Sequence, residues 1–177
     1  MKALGMMTLL CALAACSQLD TRSPASIDLS GTWQLDAHRS DSAPPLGRRS
    51  SAEIDEQGGY PPGGTPRFDG PMPLLPMLSA REMTIAQDAQ SMGIDYPGEP
   101  YRDVKWGNQK RGLFTVNAGW EEQRLIVETK SDPLRIRETY SLSESGDTLT
   151  LHIDLNGKRM NDRHLTRVFT RVPVSRP

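Results

Sequence analysis

Between Thr148 and Leu155 the chain alternates without a break: Leu149, Leu151, Ile153 and Leu155 fall on one side, Thr148, Thr150, His152 and Asp154 on the other. A period of two held over such a run marks a strand with one buried and one wet face. The same period recurs along most of the chain after Ser79. Met83 and Ile85 oppose Thr84 and Ala86; Met92, Ile94 and Tyr96 follow an Asp88-Ala89-Gln90 corner; Val104 and Trp106 alternate with Asp103 and Lys105. Phe114, Val116, Ala118 and Trp120 share a side, answered across Glu121-Glu122-Gln123 by Leu125, Val127 and Thr129. Leu134, Ile136, Tyr140 and Leu142 lead to a Glu144-Ser145-Gly146-Asp147 turn, Asn156-Gly157 ends the Thr148 run, and Leu165 to Val172 reads as the last strand. With a first strand at Leu29 to Leu35, the pattern predicts an all-β antiparallel meander of about eight or nine strands, with no amphipathic helix between them. Such strands are expected to close into a barrel or a strongly bent sheet, because closure removes exposed edges.

The pattern fails in two places. From Ala37 to Ser79 it gives way to Pro44-Pro45, Gly58-Gly59, Pro61-Pro62-Gly63-Gly64, Pro66, Pro71, Pro73 and Pro76. Prolines at that density remove donors and fix φ, which forbids a ladder or a helix through most of the segment. Residues 37–79 are therefore expected to be a long Pro/Gly-rich loop, either functional or disordered, with Ser50 to Gln57 alone suited to a helical turn. Its apolar members, Tyr60, Phe68, Met72, Leu74, Leu75, Met77 and Leu78, suit packing on the barrel, a lid over its mouth, or a strip that docks on a partner. The second failure is the N-terminus, where Lys2 precedes an apolar run from Ala3 to Ala12 that ends in Leu13-Ala14-Ala15-Cys16. This run is short of the about 20 residues a membrane span needs and reads as a secretory signal.

Leu13-Ala14-Ala15-Cys16 resembles the lipobox of bacterial lipoproteins. The resemblance implies that residues 1–15 are a signal peptide, that Cys16 is diacylated as the new N-terminus, and that the chain is held to a membrane by that lipid. Ser17 stands where an aspartate would mark inner-membrane retention in enteric lipoproteins, which implies an outer-membrane, periplasm-facing place in the cell envelope. Residues 16–28, small and polar, would then form a tether, and residues 29–177 a single domain.

Charge and chemistry narrow the partners. The net charge is −1, and −2 once Lys2 is removed, so no basic surface for nucleic acid is expected. Cys11 lies on the discarded side of Cys16, so the mature domain has no disulfide and must rest on its core. The 3 histidines show no metal-ligand spacing, and no cofactor is expected. No G-x-S-x-G, H-E-x-x-H or phosphate-loop pattern occurs, so binding is expected rather than catalysis.

Gly31-Thr32-Trp33 on the first strand resembles the G-x-W motif of the lipocalins, whose fold is an eight-stranded up-and-down barrel. The likeness extends to the long loop after the first strand, the meander, and a basic residue on the last strand. In that family such an arginine packs across the tryptophan, a place that Arg167 or Arg171 would take here. From Ser30 onward the chain also resembles proteobacterial lipoproteins with an SGTW start, a WEEQRLIVET hairpin and a TYSLSESGDTLTL hairpin, which implies no particular activity. Trp33 would plug the closed end of the barrel or line a ligand cavity. Glu138 falls on the side of Leu134, Ile136 and Tyr140, so alternation aims it inward, where a carboxylate needs a partner. Arg167, on the face of Leu165 and Phe169, is the partner expected. Trp33, Glu138 and Arg167 are thus the candidate ligand-binding residues, and Cys16 the lipid-attachment site. The expected ligand is a small apolar molecule or an envelope component. The alternative is an inhibitor or immunity lipoprotein that engages a periplasmic enzyme through its loop or a sheet edge.

Overall fold

The computed structural model describes residues 18–42, 75–132, 134–157 and 160–173. Cys16, the signal segment and residues 43–74 of the expected loop lie outside the described residues. Ten strands follow one another: β1 (Gly31–Leu35), β2 (Glu82–Gln87), β3 (Ser91–Asp95), β4 (Arg102–Lys105), β5 (Gly107–Arg111), β6 (Phe114–Glu121), β7 (Arg124–Ser131), β8 (Leu134–Leu142), β9 (Thr148–Gly157) and β10 (Met160–Arg171). All pair antiparallel in one sheet of order β4-β3-β2-β1-β10-β9-β8-β7-β6-β5. The chain therefore meanders until β10 returns beside β1, with Trp33 opposite Arg171 and Leu35 opposite Phe169. The two unpaired edges, β4 and β5, are consecutive in the chain, with only Trp106 between them. The result is an all-β, nearly closed barrel of ten antiparallel strands with one unpaired seam.

The strand count exceeds the sequence-based expectation for a physical reason. β5 reads Gly-Asn-Gln-Lys-Arg, with no apolar member to reveal its period. Val104 and Trp106 do not share a strand, because the chain leaves β4 at Trp106 and re-enters the sheet at Gly107, whose φ of 86° only glycine adopts readily. At the other end of the chain β10 starts at Met160. Asn161, Asp162 and His164 therefore belong to the strand rather than to a turn, and His164 Nδ1 lies 2.6 Å from Asp154 Oδ1 on the neighbouring strand.

Alternation places the core as the sequence implied. Leu149, Leu151 and Ile153 are fully buried, as are Leu125, Val127 and Tyr140 on neighbouring strands. Trp33, also fully buried, closes one end: its Nε1 donates to Leu29 O at 2.9 Å, and the Arg171 guanidinium carbon lies 4.2 Å from its ring centroid. Arg171 thus takes the place across the tryptophan that the sequence left open between Arg171 and Arg167. At the opposite end, the 3-10 turn Pro76–Leu78 packs into the barrel with Leu75, all four residues buried.

The described part of the expected tether does not trail free. Asp20 N donates to Trp120 O at 2.9 Å, and Trp120 N returns the bond to Asp20 O at 2.7 Å. Gln87 then holds the chain at both ends of a short stretch, accepting from Leu29 N at 3.0 Å and donating to Ile27 O at 3.0 Å.

Candidate functional site

Glu138 on β8 points inward between Val127 on β7 and Ile153 on β9, and none of its surface reaches solvent. An isolated carboxylate in that apolar wall would be strongly unfavourable. It is satisfied from across the lumen. Arg102 on β4 donates from Nη1 to Oε2 at 2.7 Å and from Nη2 to Oε1 at 2.6 Å, a two-pronged fork. Tyr140 OH adds a third bond to Oε2 at 2.7 Å. In sheet order five strands separate β4 from β8, so the pair ties opposite walls of the barrel.

This network shifts the ionisation of Arg102, Tyr140 and the nearby Tyr96. Burial disfavours charge on Arg102 most strongly, but the charge and hydrogen bonds of Glu138, together with Tyr140 and Tyr96, outweigh it and hold the guanidinium protonated well above the ordinary arginine range. Tyr140 is pushed well above the usual tyrosine range, first by burial and then by Glu138. Tyr96 is pushed up to about 12, chiefly by burial, with Arg102 pulling the other way and Glu138 adding to the rise. Arg102 and Tyr140 approach closely enough to pull its pKa down, but the buried hydroxyl has no well-formed hydrogen bond among the described residues.

A test in alkali follows from the sign of these shifts. The unfolded chain releases a tyrosine proton near pH 10, whereas folded Tyr96 keeps it to about 12. The stability this difference contributes is fully present below pH 10 and falls as the pH rises toward 12. Urea midpoints measured across that interval should decline, and Tyr96→Phe should flatten part of the decline. At neutral pH the same substitution should be nearly neutral, because the hydroxyl it removes has no well-formed hydrogen bond among the described residues. A Tyr96→Phe curve that falls as steeply as the parent's would assign the alkaline loss elsewhere.

The exposed side of Arg102 opens on a cavity of about 260 Å³ at the seam. Its walls are mainly apolar: Leu75 and Met77 from the 3-10 segment, Val104 on β4, Phe114 and Val116 on β6, with Thr129 of β7 below them. The Arg102 side chain keeps 20 % of its surface exposed, so one guanidinium serves both the buried carboxylate and the cavity wall. At the rim, Arg111 Nη2 on β5 and Asp103 Oδ2 on β4 approach to 3.6 Å across the unpaired edges. A second hollow, wider, more open and more polar, lies at the closed end between Thr21, Asp88, Lys105 and Gln109.

The three sequence-derived candidates are placed apart from the cavity. Trp33 sits in the closed end. Arg167 is 3 % exposed, but its partners among the described residues are backbone carbonyls: Nη2 donates to Ala80 O at 2.7 Å and Nη1 to Asp41 O at 3.2 Å, while Nε has none among them. Burial and the neighbouring Arg81 charge lower its pKa, with Asp41 opposing. The expected Glu138–Arg167 pair is therefore not formed; Arg167 clamps the stretches that lead into and out of residues 43–74, and Arg102 takes Glu138. Sequence reasoning missed Arg102, although a signal existed: the alternation of Val104 and Trp106, extended back by two, puts Arg102 on the inner face.

No protein-family model matches this chain, and no curated protein matches it. Among solved structures it is similar to a secretary abundant heat soluble protein from Ramazzottius varieornatus, at 12% identity over 86% of this chain and 100% of that one, with a TM-score of 0.48. It is also similar to an asparagine-to-alanine mutant of the fluorescent protein UnaG, at 16% identity over 52% of this chain and 72% of that one, with a TM-score of 0.38. Neither likeness bears on function.

Proposed function

We propose that this chain is a lipid-anchored envelope protein that holds a small, largely apolar ligand in the seam cavity, and that it acts by binding rather than catalysis. The observation that carries the reading is the apolar cavity between the unpaired edges, with the Arg102 guanidinium in its wall. Its volume of about 260 Å³ lies just below the roughly 300–1,000 Å³ of common ligand sites, which suits a small molecule or one segment of an acyl chain. The centre of the barrel is filled by Glu138, Arg102 and Tyr140, so the ligand is confined to the mouth. The lipobox-like Leu13-Ala14-Ala15-Cys16 supports anchoring through Cys16, and Ser17 supports the outer membrane, on its periplasmic side.

The test is to fill the cavity. Val116→Trp should weaken binding of an apolar probe, anilinonaphthalene sulfonate, by about tenfold or more, while leaving the melting temperature within a few degrees. A folded variant with parental probe affinity would remove the cavity from consideration. Mass spectrometry of lipids and proteins that co-purify with the native lipoprotein would identify the occupant. A second reading, an inhibitor or immunity lipoprotein, draws on the unpaired edges of β4 and β5, which can accept a strand from a partner. A co-purifying enzyme without any lipid ligand would favour it.

A further inference from the structure

The side of the barrel on which the anchor enters decides which way the cavity faces. Asp20 bridges Trp120 near the C-terminal end of β6. A Cβ at Gly119 would stand 2.6 Å from Asp20 O and 2.8 Å from Leu19 Cβ, so β6 accepts the crossing segment only because residue 119 has no side chain. Ile126, the register partner of Gly119 on β7, is 1% exposed although it lies outside the interior cluster. Ser23 Oγ then reaches Asp88 O at 3.4 Å, on the corner between β2 and β3. From Leu19 onward the N-terminal segment is thus strapped to the closed end. The cavity occupies the other end, where its β6 residues are Phe114 and Val116.

Only Ser17 and Gln18 separate Cys16 from Leu19. Three residue steps span at most about 11 Å. Along β6, Phe114 and Trp120 stand roughly 20 Å apart at strand spacing. A barrel with its cavity against the bilayer would lift Leu19 by about 15 Å, that length projected on the axis of a barrel whose strands tilt by about 40°, still beyond the reach of three residue steps. We infer that the anchored barrel stands with its closed end toward the membrane and its cavity turned to the aqueous side. The ligand is then exchanged with that compartment or with a carrier in it, and is not drawn directly from the anchoring leaflet. This rests on acylation of Cys16, and it adds an orientation that the anchor alone would not impose.

Energy transfer to the membrane surface tests it. The full-length lipoprotein, carrying a donor on Glu144→Cys or on Leu113→Cys, is reconstituted into vesicles of phosphatidylethanolamine and phosphatidylglycerol with a headgroup-labelled acceptor. Position 144 is in the closed-end turn, and position 113 is exposed in the turn before β6. Transfer should be about twofold or more stronger from 144 than from 113. Gly119→Leu, which leaves no room for Asp20, should release the strap and shrink that difference while the melting temperature stays near the parent's. Equal transfer from both positions with Cys16 shown by mass spectrometry to be acylated overturns the orientation alone. A Cys16 found without acyl chains overturns the anchoring as well.

Discussion

Arg102→Met should destabilise the protein by about 3–5 kcal/mol, read as a fall in urea midpoint at unchanged denaturant slope. Glu138 has no exposed surface, and without Arg102 it would keep one hydrogen bond among the described residues, from Tyr140. The loss is then the penalty of leaving a carboxylate in an apolar wall, more than the value of the pair itself. For that reason Arg102→Met combined with Glu138→Leu should recover most of the stability, since a well-packed apolar pair is often as good as a buried ion pair. A single substitution that costs less than about 1 kcal/mol, or a double that does not recover, would show that the carboxylate is accommodated by other means.

Trp33→Ala should be comparably severe, about 3–5 kcal/mol, because it empties the place of a fully buried tryptophan in the closed end. It also leaves Leu29 O without the indole donor. Arg171 should stay in place, since it donates to the carbonyls of Gly146, Ser30 and Asp28 independently of the ring. Probe affinity at the seam should be unchanged in whatever fraction remains folded, because Trp33 does not line that cavity. A folded Trp33→Ala protein that no longer binds the probe would return the tryptophan to the ligand site.

What the sequence revealed was facing, and what it concealed was position along and around the barrel. Alternation aimed Glu138 inward, and the structure buries it completely. Parity also put Arg167 inside, but parity carries no information about height. Arg167 lies opposite Leu151 and Glu138 opposite Ile153 on the same strand β9, and the heads diverge from there. Which residue crosses the lumen depends on how the sheet curls, and the curl brought in Arg102 from a strand remote in sheet order. β5 was invisible because an edge strand with one wet face and a half-covered other face needs no apolar residue. The G-x-W reading located the closed end through Trp33 and an arginine on β10. The cavity was illegible, since it exists only where β4, β6, β7 and the 3-10 segment meet.

The seam between β4 and β5 has a kinetic consequence. Everywhere else around the barrel, prising two strands apart breaks ladder hydrogen bonds and approaches local unfolding. Between these two, Arg111 and Asp103 meet as a half-exposed ion pair, of a kind that holds at most about 1 kcal/mol. Parting β4 from β5 would break that pair and no ladder hydrogen bond, while the Arg102–Glu138 fork would still tie β4 to β8. For a ligand held in the cavity, dwell time and the lifetime of the fold would then be set by different barriers, so one could shorten without the other.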